Sequence, residues 1–74
     1  MSDSANSGKI ALLTGSIEKT KKLLSDGQIA AAQQSLIRAK GIFEKLNLEG
    51  QQREMMNYEL QELRADIELA MLGS

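Results

Sequence analysis

The chain has 74 residues, nine Lys/Arg against ten Asp/Glu, and no His, Cys or Pro. A single domain of this size buries only about 60% of its unfolded surface, so a partner is one way to supply the missing stability. Without Cys or His, disulfides, thiol chemistry and the usual zinc ligand sets are excluded, and with them most routes to catalysis.

Residues 1–7 are small and polar with no apolar period, and are expected to form a disordered arm ahead of a helix start at Ser7 or Gly8. From there Ile10, Leu13, Ile17, Thr20 and Leu24 recur at alternating threes and fours, which places them on one face of a first helix over about 8–25. Gly15 interrupts this helix at a cost of about 1 kcal/mol relative to Ala, and is read either as a close approach of another backbone or as a tolerated exposed position.

Ser25-Asp26-Gly27 is a stop, because glycine closes a helix C-terminus in the left-handed conformation. A second helix follows at once over 28–46, with Ile29, Ala32, Leu36, Ala39, Phe43 and Leu46 as its stripe. So short a connection makes the two helices an antiparallel hairpin. Asn47 to Gly50 is the next break. A third helix is expected over 51–72, with Met56, Leu60, Leu63, Ile67 and Ala70 facing inward and an Arg64–Glu68 pair at i,i+4.

The expected fold is therefore all-α: one domain over 8–72, a three-helix antiparallel bundle running up, down and up. Its composition is rich in Ala, Leu, Ile, Lys, Glu and Gln, with one Tyr and one Phe, which suits helix over sheet. No apolar run approaches the roughly 20 residues of a bilayer span and no signal peptide is visible, so a cytoplasmic protein with no membrane association is expected.

Charge is uneven along the chain. Residues 1–45 hold seven Lys/Arg and four Asp/Glu (net +3), and residues 46–74 hold two and six (net −4). Lys19, Lys21 and Lys22 cluster without an aromatic to stack a base, so nucleic acid is not an expected partner. No nucleophile and base, phosphate-cradling loop or metal spacing is present, and Glu59, Glu62 and Asp66 read as a solvated face. Neither an enzyme nor a bound cofactor or metal is expected.

Some apolar residues fall off the stripes. At about 100° per residue, Leu12 and Leu23 lie together more than about 100° from the centre of the first stripe. In the third helix Tyr58, Ala65, Leu69 and Leu72 align off the core face, and in the second Ile37 points backward beside Ala30 and Gly41. Scattered surface leucines are ordinary, but a three-helix bundle buries one stripe per helix, and ordered extra strips suit a further helix from a copy or another protein. Leu12, Leu23, Ile37, Tyr58 and Leu69 are the candidate partner-binding residues. Met56 reads as core and Met55 as rim.

"GKIALLTGSIEKTKKLL", "SLIRAKGIFEKL" and "MMNYELQEL", in this order, resemble the flagellin-specific export chaperones of bacterial flagella, the FliS family, over about residues 8–70. Leu12, Leu13, Gly15 and Ile17 match the family's first motif. Leu36, Ile37, Arg38, Ala39, Ile42 and Leu46 match its second, and Tyr58 and Leu63 its third. Thr14 and Ser16 stand where the family usually has Tyr and Asp near that glycine, and Met55 and Met56 replace Leu and Tyr. Family members carry a segment before the first motif and another helix after the third, so the resemblance implies a short or truncated relative. It also implies a cytoplasmic chaperone that holds the C-terminal helical region of flagellin and keeps it from polymerising before export.

Two other readings fit the residues. One is a self-associating, dimeric structural or adaptor bundle whose extra strips meet across a two-fold axis. The other is a tetratricopeptide-like or microtubule-trafficking-like interaction module, suggested by Gly27, Ala32, Leu36 and Ala39, although Lys19 and Thr20 stand where its first helix needs apolar residues.

Overall fold

The computed structural model describes the backbone of residues 2–73 and the side chains of 8–73. The described residues form three helices, α1 (Ser2–Ser25), α2 (Ile29–Leu46) and α3 (Gly50–Gly73), in an all-α bundle about 47 Å long and 15 to 19 Å across. α1 and α2 pack closely along their length, and α3 lies mainly against α2 with a narrower contact to α1.

Each turn has a local cause. Gly27 takes φ +81°, its N–H donates to the Leu24 carbonyl at 3.1 Å, and the Gln28 N–H donates to the Leu23 carbonyl at 2.9 Å. That pair of bonds is a Schellman closure, which satisfies the last carbonyls of α1 and reverses the chain within three residues. At the second turn Asn47 adopts the left-handed conformation (φ 52°, ψ 44°), and Leu48 tucks beneath the connection as part of the core. Arg53 Nη1 donates to the Leu48 carbonyl at 3.5 Å, and its guanidinium lies 5.7 Å from the centre of the Phe43 ring.

The buried set is Leu13, Ile17 and Thr20 of α1, Ala32, Ala39 and Leu46 of α2, and Leu60, Leu63 and Ile67 of α3, with Leu48 from the connection. All but Leu48 lie on the expected stripes. Within the α2 stripe Ala32 and Ala39 sit about 40° to one side of Leu36 and Phe43 on the helix wheel, and the two large residues line the cavity against α3. Small contact residues let two helices approach closely, whereas large ones hold them apart.

Thr20 is the only buried polar side chain among the described residues, with no exposed area. Its Oγ1 donates to the Ser16 carbonyl at 2.7 Å and shares a hydrogen bond with Ser35 Oγ at 2.8 Å. Ser35 Oγ also lies 3.4 Å from the Ser16 carbonyl, so a compact polar contact joins α1 to α2. Among the described residues no buried polar side-chain atom lacks a partner.

Two expectations are corrected, and of the two readings of Gly15 the tolerated exposed position is the one that holds. α1 begins at Ser2, not at Ser7 or Gly8, so residues 2–7, read as an arm, continue the helix backbone; Met1 lies outside the described residues. Once a helix is nucleated each added residue gains one backbone bond, and Ser, Asp and Asn cost only a few tenths of a kcal/mol each, with no proline to stop it. Gly15 is not a point of close approach within the chain, because a Cβ built there would meet no atom within 4 Å. Leu48, assigned to a break, is core; its side chain fills the end of the bundle where α2 and α3 part.

Candidate functional site

α2 and α3 meet through their large side chains on one side only, and this leaves an open groove between them. One section is lined by Leu36, Lys40, Phe43, Leu60, Gln61 and Arg64 and holds about 170 Å³. The adjoining section, of about 320 Å³, shares Leu36, Lys40 and Arg64 and adds Ile37, Ile67 and Met71. Leu60 and Ile67 are buried and Leu36 and Phe43 half-buried, so the floor is apolar. Lys40, Glu44, Arg64 and Glu68 stand along the rim. From Asn57 to Met71 the α3 wall rises about 21 Å, close to four turns of a docked helix.

The rim is pre-ordered in one place. Arg64 Nε donates to Glu68 Oε1 at 3.3 Å, the expected i,i+4 pair, with both side chains well exposed. A pair of this kind contributes at most a few tenths of a kcal/mol to stability.

The five candidate residues do not form one patch. Ile37, 62% exposed and off the core face as expected, is also on the lip of the groove. The cause is that α3 packs on one flank of α2, over Leu36 and Phe43, and leaves the next position outward at the groove edge. Tyr58 (63% exposed) and Leu69 (67% exposed) are on the outer face of α3, with Ala65 and Leu72 also exposed as expected. Leu12, 64% exposed, is on the outer flank of α1.

Leu23 is a correction. It is half-buried, beside Ala31, Gln34, Ser35 and Arg38 of α2. Three residues downstream the hairpin turn holds the two helices together, so a side chain well off the core direction still rests against α2. Leu12 and Leu23 therefore do not make a shared free strip.

Leu36, Phe43, Lys40 and Arg64 were not candidates, because Leu36 and Phe43 read as ordinary core positions. The signal was present as the alternation of small and large residues along Ala32, Leu36, Ala39 and Phe43. Among the described residues no group of three or more acidic side chains is arranged to hold a metal ion, and no helix is long and apolar enough to cross a membrane. Comparison with protein-family models, with curated proteins and with solved structures finds no match to this chain.

Proposed function

We infer that the protein is a non-catalytic interaction module that receives an amphipathic helix of a protein client in the α2/α3 groove. The observation that carries this reading is the groove itself. An apolar floor of Leu36, Phe43, Leu60 and Ile67, open to solvent along about four helical turns and rimmed by charges of both signs, has the form of a helix-in-groove receptor. The resemblance of residues 8–70 to flagellin export chaperones supplies the identity of the client: the C-terminal helical region of flagellin, held in the cytoplasm until export.

The test is retention of purified monomeric flagellin by the immobilised chain, with Ile37→Glu as the groove variant. Retention by the parent chain and about tenfold weaker binding by the variant is the expected result, since burying an unpaired charge in an apolar contact is costly. Failure to retain flagellin removes the export-chaperone reading. Equal retention by Ile37→Glu removes the groove as its site.

A further inference from the structure

The outer face of α3 carries a second apolar stripe that the groove does not use. Met55, Tyr58, Ala65, Leu69 and Leu72 follow one another at three, seven, four and three, and Glu62 fills the one remaining place in an unbroken three-four alternation. All five apolar members are exposed. This is the spacing of a coiled-coil seam, about 26 Å from end to end, on an exposed face of α3 whose Glu62 and Asp66 edge borders Lys21 and Leu24 of α1.

The charges beside the seam are of one sign. Glu59 and Asp66 run along one flank, Glu54 and Glu68 stand on the other, and Glu62 is within the seam itself. Among the described residues no Lys or Arg pairs with Glu54, Glu62 or Asp66; Lys21 reaches Glu59 at 3.9 Å. A second copy of the chain is a poor occupant for two reasons. Antiparallel pairing of α3 with α3 brings one acidic flank against the same flank of the copy, and parallel pairing sets Glu62 against Glu62 and Glu54 against Glu59. The basic α1 of a copy offers only Leu12 as a freely exposed large apolar side chain, since Leu23 rests against α2.

We propose that the outer face of α3 is a second docking site, which takes a partner helix carrying its own three-four apolar stripe flanked by lysine or arginine. Tyr58, Leu69 and Leu72 are its apolar anchors, and Glu62 and Asp66 select the basic flanks. The stripe and the groove draw on different residues of α3, about 120° apart on the helix wheel, so the chain can hold two helices at once.

Two synthetic 18-residue peptides test this, both with leucine at every three-four position and with either lysine or glutamate at the flanking positions, titrated against the intact chain by fluorescence anisotropy at low and high salt. The lysine peptide is expected to bind about tenfold more tightly at low salt, with the preference shrinking as salt screens the flanks. Tyr58→Ser with Leu69→Ser should abolish its binding while far-UV circular dichroism stays unchanged, and Ile37→Ser should leave binding intact. Glu62→Lys with Asp66→Lys should reverse the preference between the peptides.

Three results would overturn the proposal. One is equal binding of the two peptides at low salt. Another is loss of the lysine peptide in Ile37→Ser but not in the α3 variant, which would place it in the groove. The third is sedimentation of the chain as a dimer that Leu69→Ser dissociates, which would make a second copy the occupant. None of these bears on whether flagellin enters the groove.

Discussion

Replacing Thr20 by Val keeps the shape of a fully buried side chain and removes only its hydroxyl. The lost contact is the 2.7 Å bond to the Ser16 carbonyl together with the 2.8 Å bond to Ser35. The Ser16 carbonyl still has its helical partner, and half-buried Ser35 can turn to that carbonyl or to water, so no group is stranded. The expected cost is therefore that of one ordinary hydrogen bond, about 1 kcal/mol, and Thr and Val differ little in helix propensity. For a chain of this length that lowers the thermal midpoint by about 4 to 8 °C. Ser35→Ala should be close to neutral, because alanine's gain in helix propensity of about 0.5 kcal/mol offsets the lost bond. In the double variant the cost should fall short of the sum of the singles by about 0.5 kcal/mol or more, the signature of a shared contact. Thermal melts followed by far-UV circular dichroism on the four proteins supply the cycle. A Thr20→Val chain that melts at or above the parent temperature would refute the assignment of a stabilising role to this polar contact between α1 and α2.

Gly15→Ala and Gly41→Ala should each raise stability by about 0.5 to 1 kcal/mol in chemical denaturation, since a Cβ at either site meets nothing within 4 Å. Gly27→Ala should lower it by about 1 kcal/mol, because φ +81° at the end of α1 is unfavourable for any side chain. Leu13→Ala opens a cavity at a fully buried site and should cost about 2 to 5 kcal/mol. Against a total stability of about 4 to 11 kcal/mol for a chain of this length, that leaves a detectable unfolded fraction by circular dichroism near the upper end of the range. Lys21→Ala should change the unfolding free energy from chemical denaturation by no more than about 0.5 kcal/mol, because its 3.9 Å pair with Glu59 is half exposed.

The groove and the outer stripe are two apolar surfaces on different faces of α3. The groove draws on α2 and α3 together, so its width depends on how α3 seats over Leu36 and Phe43. The outer stripe belongs to α3 alone and keeps its geometry as long as that helix is intact. A client helix that wedges the groove would therefore alter one surface and leave the other unchanged, a difference that peptide binding to the separate variants can measure.

Helix positions, turn sites and the inward stripes follow from local rules. Ile10 to Leu24, Ile29 to Leu46 and Met56 to Ala70 repeat at threes and fours, and Gly27 needs only its own backbone freedom to close α1. The outer stripe of Tyr58, Ala65, Leu69 and Leu72 was legible for the same reason, since one helix fixes which of its residues share a face. Where the extra apolar residues sit relative to other helices was not legible, because periodicity within one helix carries no information about the angle at which the next one packs. Only the tertiary arrangement decided that α3 lies to one flank of α2, and that one choice turned Ile37 into a groove lip and left Leu36 and Phe43 lining an open groove. The closeness of α1 and α2 likewise drew Leu23 against Ala31. Leu48 shows the same division: a leucine in a break has no period, and its burial came from where the ends of α2 and α3 left space.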